Sequence, residues 1–223
     1  MADGDGAADG PPECADARID WAVPPVRAGW AGHVDRLMGP GMSRGERLVE
    51  LLGGALCCAL LAVLAVRTGA YGRWSLLQAA VAAVVALDMV GGVLTLAGNT
   101  TKRWYHLRSA GAPRRRRILL SVHLVHLAAV AFLLLPGGAG RNWQWLLVNT
   151  ALLAAAAVVV ESAPLPLVRP VAMACYLVAV LVNLVWFPVP RELLWFTPLF
   201  FLKLVVCLLV PEAPLAGTGR REK

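Results

Sequence analysis

Five ionisable side chains lie inside or at the edge of long apolar stretches, and their types could support chemistry. A charged group at membrane depth costs at least about 2.5 kcal/mol on insertion scales, so such residues are candidates for function. They are Asp88, His123, His126, Glu161 and Lys203.

Asp88 and a histidine pair are the strongest candidates for a shared site. Small and polar residues follow Asp88 at helical spacing on one face: Gly92, Thr95 and Asn99. His123 and His126 are three residues apart on the next predicted helix, which runs antiparallel to the first. Carboxylate and imidazole groups bind zinc or non-haem iron and also act as acid and base. The pattern predicts Asp88, His123 and His126 as catalytic residues and as ligands of a divalent metal.

A structural explanation of the same residues stays open. Asp88 could accept hydrogen bonds from the two histidines and simply hold two helices together. Lys203 could pair with Asp88 or with Glu161. We expect instead that Lys203 extends its amine toward the membrane surface, as lysines near helix ends do.

The basic segment 99–117 is the candidate substrate-binding region. It combines seven positive charges with aromatic residues, and such juxtamembrane clusters attract anionic lipid at about 1 kcal/mol per charge. We predict that Asn99, Lys102, Arg103 and His106 bind an anionic headgroup. The alternative is that the arginines act only as a topological anchor.

The elements that must position these residues are membrane-spanning helices. The chain has 223 residues, of which 58% are hydrophobic and 16% charged, whereas soluble domains are about 25% charged. Six apolar blocks each approach the roughly 20 residues that cross a bilayer. We therefore predict an all-α, polytopic integral membrane bundle of six transmembrane helices. The blocks are 48–66, 75–98, 118–135, 145–160, 168–187 and 192–210.

Two further segments flank the predicted transmembrane domain at 48–210. Residues 1–47 form an acidic tail, predicted to be disordered over 1–20, where six acids occur among Gly, Ala and Pro. The same segment includes a possible interfacial helix, because Val26, Trp30, Val34 and Leu37 share a helical face. Residues 211–223 form a short basic tail.

The distribution of positive charge predicts the orientation. Counted near the helix ends, fourteen Lys and Arg residues lie on one side and four on the other: Arg67, Arg73, Arg141 and Arg191. Positive loops stay cytoplasmic, so we expect both termini in the cytoplasm and the chain in an inner (plasma) membrane. Because topology accounts for the charge, we expect no nucleic-acid partner. An excess of arginine over lysine indicates GC-rich coding and a bacterial source.

Three classes of function fit these features. The first is an enzyme that acts on a lipid-like substrate at the Asp88 and histidine site, with the basic segment holding its headgroup. The second is a transporter of small solutes, in which the same groups relay protons or ions. The third is a structural partner subunit of a membrane complex. Membrane lipids are the expected partners, and the sequence contains no phosphate-binding glycine loop or zinc-protease motif.

Reporter fusions test the predicted topology. A reporter that is active only outside the cytoplasm should be inactive when fused at Lys223 and active when fused at Arg141, because the fourteen-to-four charge asymmetry retains the basic side in the cytoplasm. Activity at Lys223 would contradict the six-span topology.

Overall fold

The computed structural model describes residue 19 and residues 21–106 and 111–213. The structure is 80% helical, which confirms the all-α membrane bundle. The predicted disordered tail and nearly all of the predicted basic tail lie outside the described residues.

Nine helices follow one another along the described chain. Their bounds are α1 Gly29–Met38, α2 Arg44–Arg67, α3 Ala70–Arg73, α4 Leu76–Ala97, α5 Asn99–His106, α6 Ala112–Leu134, α7 Ala139–Ser162, α8 Val168–Trp186 and α9 Phe196–Phe201, the last continued by a π-helix, Leu202–Leu208. Five of these helices are long and apolar enough to cross a membrane: α2, α4, α6, α7, and α8 with the turn before it.

The sixth predicted span differs from the other five. We predicted a span over 192–210, and the chain there forms a 3-10 turn, Arg191–Leu193, followed by α9 and the π-helix rather than one unbroken α-helix, so it is not among the five long helices. Phe200, Phe201 and Leu204 are completely buried, and the segment packs against α4, α7 and α8. Its apolar composition therefore fills the protein core. Pro198 lies in the first turn of α9, where a missing N–H removes no helical hydrogen bond.

Helix caps define where two of the spans begin. Ser43 and Glu46 form a capping box at the start of α2, and Ser75 and Gln78 form another at the start of α4. Each box satisfies two backbone N–H groups that a helix start leaves unpaired. α6 begins six residues earlier than predicted, at Ala112, with a proline in its first turn. The four consecutive arginines are consequently helical.

A helix, α1, lies where the interfacial helix was predicted, but it begins at Gly29 and leaves out Val26; its place at the membrane interface stays a prediction. Trp30, Val34 and Leu37 are exposed along one face, and Trp30 is 87% exposed. Asp35 is buried on the other side, where it accepts hydrogen bonds from the backbone and guanidinium of Arg27. This pairing holds the pKa of Asp35 at about 2, chiefly through the side-chain hydrogen bond from Arg27. The helix thus presents an apolar face suited to a membrane surface.

Two asparagines connect α7 to α8. Asn183 Nδ2 donates to Asn149 Oδ1 at 2.8 Å, and Asn149 Nδ2 donates to Asn183 Oδ1 at 3.2 Å. Both amides also donate to a carbonyl one turn earlier in their own helix. The nitrogen and the oxygen of both side-chain amides therefore have hydrogen-bond partners in an apolar setting.

A double-mutant cycle tests the contribution of this pair. Asn149→Leu alone should lower the unfolding free energy by about 1 kcal/mol, because the amide of Asn183 loses its partner across the interface. Asn149→Leu combined with Asn183→Leu should cost less than the sum of the single changes. The measurement is reversible unfolding in mixed micelles, and strictly additive effects would contradict an energetic coupling.

Candidate functional site

Asp88 is the centre of a cluster drawn from three helices. It lies in the middle of α4, while α6 contributes His123 and His126 and the π-helix after α9 contributes Lys203. Asp88 Oδ2 is 3.2 Å from Nε2 of each histidine and 2.6 Å from the amine of Lys203. The structure thus brings the three predicted site residues together; their chemical roles remain predictions.

Lys203 does not extend to the membrane surface, so that expectation was wrong. The residue is only 3% exposed, and its amine donates to the side chain and to the backbone carbonyl of Asp88. The reason is that the segment carrying Lys203 packs against α4, α7 and α8, which places the carboxylate of Asp88 within reach of its amine. Gly92 makes room for it, because a Cβ at this position would overlap the Lys203 side chain.

The hydrogen bond of His123 determines which ring nitrogen carries a proton. Its Nδ1 is 2.7 Å from the carbonyl oxygen of Leu119, which can only accept, so Nδ1 carries the hydrogen. In the neutral ring Nε2 then presents a lone pair. This atom is buried without a hydrogen-bond partner and faces the carboxylate oxygen of Asp88. A contact between this nitrogen lone pair and a carboxylate oxygen is favourable only when a proton or a cation lies between the two atoms.

The three side chains have the geometry of a partial metal-binding site. One ligand atom from each of Asp88, His123 and His126 lies within 4.8 Å of the other two. Zinc bonds to nitrogen and oxygen measure about 2.0 to 2.2 Å, so small side-chain movements would bring all three onto one ion. The hydrogen bond from His123 to a backbone carbonyl is the kind of outer contact that orients metal-binding imidazoles. Lys203 would have to yield part of its contact with Asp88.

A cavity of about 340 Å³ opens beside this cluster. Asp88, His123 and Lys203 form its polar part, and apolar side chains from α1, α2 and α4 form most of the remaining wall. Glu50 from α2 also lines the cavity, and its Oε1 is buried without a hydrogen-bond partner. The cavity could accept a mostly apolar molecule with one polar group.

Two of the predicted headgroup ligands are used inside the protein. The amine of Lys102 donates to the carbonyls of Cys207 and Val210, and His106 Nε2 donates to the carbonyl of Leu208. Both side chains thus satisfy carbonyls at the end of the π-helix, which lack helical partners. Burial lowers the pKa of His106 to about 4, with help from the charges of Lys102 and Arg116. This placement gives Lys102 and His106 a structural role.

The other residues of the basic segment are also separated from Asp88. Asn99 begins α5, and Arg103 donates to the carbonyl of Ala22. Neither lines the cavity beside Asp88. Glu161, another candidate, accepts hydrogen bonds from Arg116 at the same end of the bundle.

Sequence reasoning did not identify Glu50 and underestimated Lys203. Glu50 is an acid in the first two turns of α2, where its position near the end of an apolar block was the only available signal. Lys203 had been considered as a partner of Asp88. The presence of an acid and a base within two apolar blocks was the feature of the sequence that favoured pairing Lys203 with Asp88.

Comparison of the chain with protein-family models, with curated proteins and with solved structures finds no match.

Charge-matched variants test whether Lys203 depends on Asp88. Asp88→Asn should destabilise the protein, because the buried ammonium loses its anionic partner. Removing one member of a buried ion pair costs about 3 to 5 kcal/mol. We expect the lower end, since the side chain of Asp88 is 38% exposed. Asp88→Asn combined with Lys203→Met should recover most of the loss in thermal unfolding. A stable single variant would contradict the pairing.

Proposed function

We propose that this protein is a membrane-embedded enzyme that acts on a lipid-like substrate at the site formed by Asp88, His123 and His126, with a divalent metal. The observation that carries the proposal is the buried Nε2 of His123, which has no hydrogen-bond partner and faces Asp88 within a preformed cluster. This nitrogen lies 3.2 Å from the Asp88 carboxylate, and with its hydrogen on Nδ1 the two groups attract each other only through a shared proton or a cation, which favours a cation-binding site.

The chain's own residues have distinct roles in this proposal. Asp88, His123 and His126 would hold the ion, and Leu119 would orient the ring of His123 through its carbonyl. A bound zinc or iron(II) ion would supply Lewis acidity. Lys203 places a positive charge beside the cavity, where it would stabilise negative charge on a reacting group. Glu50 would accept a hydrogen bond from the polar part of the substrate.

The adjoining cavity supports a lipid-like substrate. Its wall is mainly apolar and its charged groups are concentrated near Asp88, so an amphipathic molecule would bind with its polar group at the cluster. Entry from the bilayer is consistent with the surroundings of α2, whose span has no buried residue. The charge asymmetry supports a plasma membrane location in which the cluster lies in the cytoplasmic half.

Metal analysis of purified protein tests this proposal. Wild-type protein, purified without chelators and supplied with Zn²⁺, should retain about one equivalent by elemental analysis. His123→Gln should lower the affinity by at least about tenfold, because it removes one ligand. His33→Gln is the matched control, since His33 is exposed on α1 away from the cluster.

Two results would contradict the proposal. One is a folded wild-type protein that retains no metal. The other is unchanged metal affinity in His123→Gln. Proton-coupled solute uptake by metal-free protein in vesicles would favour the transporter class instead.

A further inference from the structure

A second cavity, of about 790 Å³, lies at the α3 end of the bundle, opposite α5. It is formed where α2 ends, α4 begins and α6 ends, together with the turn before α9. Three arginines line it: Arg67, Arg73 and Arg191. Among the described residues that line it, Glu192 is the only acid.

The ion pairs in this cavity leave two positive charges uncompensated. Glu192 is 7% exposed, and its carboxylate accepts a hydrogen bond from Arg73 at 2.6 Å. Among the described residues, Arg67 and Arg191 form no ion pair or hydrogen bond through their side chains. The neighbouring polar side chains are already engaged, since Gln78 donates to the carbonyl of Leu133 and Thr68 to that of Leu64. The cavity therefore has a net charge that favours an anion.

An apolar groove continues from this cavity along the seam between α2 and α4. The groove has a volume of about 460 Å³ and shares Trp74 and Glu192 with the arginine cavity. Small side chains from both helices keep it open: Ala62, Ala65, Ala79, Ala82, Ala83 and Ala86. At its far end Leu87 also lines the cavity beside Asp88. From Trp74 to Leu87 the helical rise is roughly 20 Å.

We propose that this combined cavity and groove binds an anionic phospholipid, with its phosphate between Arg67 and Arg191 and one acyl chain between α2 and α4. Guanidinium groups pair with phosphate through charge-assisted hydrogen bonds. The groove exceeds the roughly 15 Å hydrocarbon thickness of one leaflet, so it can hold an acyl chain along its length. This site does not depend on the metal chemistry at Asp88, and its test does not use metal content.

Lipid binding measured by native mass spectrometry tests the proposal. Protein in detergent is titrated with phosphatidylglycerol, or with phosphatidylcholine of identical chains. Wild-type protein should bind phosphatidylglycerol roughly thirtyfold more tightly, as expected for two arginine contacts of about 1 kcal/mol each. Arg67→Gln with Arg191→Gln should remove this preference. Arg141→Gln is the matched control, because Arg141 lies at the same end of the bundle but outside the arginine cavity.

Substitutions in the groove test the acyl-chain contact separately. Ala83→Phe should weaken the binding of both lipids at least about fivefold by filling the groove. Ala80→Phe should not, since Ala80 is an exposed alanine of α4 outside the groove. Equal binding of the two lipids by wild-type protein, or full binding by the double arginine variant, would overturn the proposal. Displacement of the lipid by equimolar glycerol phosphate would also overturn it, by showing that a soluble phosphate is sufficient.

Discussion

The buried amine of Lys203 is the constraint on which the arrangement of this bundle depends. A cation in the apolar centre requires an anion, a matching space and acceptors for its protons. Asp88 supplies the carboxylate and a backbone carbonyl, and Gly92 supplies the space. Because the same carboxylate oxygen also faces both histidines, the requirement that fixes α9 against α4 also fixes α6. The candidate site and the core are thus one structure.

The end of the π-helix after α9 also carries buried polar groups that need partners. Carbonyls after the last turn have no helical partners, and in an apolar bundle they must find other donors. α5 supplies them through Lys102 and His106. α5 also donates from Tyr105 to the carbonyl of Leu37 at the end of α1. α5 is therefore joined to the end of the π-helix by Lys102 and His106 and to α1 by Tyr105; that Lys102 and His106 also bind a headgroup stays a prediction.

The sequence predicted those features that depend on local spacing. The positions of the five long helices follow from apolar blocks, and the approach of Asp88 to His123 follows from helical periodicity in two neighbouring helices. Features that depend on packing could not be predicted from the sequence. Apolar composition alone cannot distinguish a lipid-facing helix from the buried helix that carries Phe200, and this ambiguity led to the wrong environment for Lys203. The contacts of Lys102 and His106 with carbonyls at the end of the π-helix are a second feature of this kind.

The central position of α9 has a consequence for biogenesis. The five long helices precede α9 in the chain, so they enter the membrane before the element that fills the space between them has been synthesised. Until then Asp88 has no ammonium partner and the inner faces of α4, α7 and α8 remain uncovered. The last element synthesised is therefore the one that completes the core, and before it packs the carboxylate of Asp88 has only the imidazoles of His123 and His126 beside it.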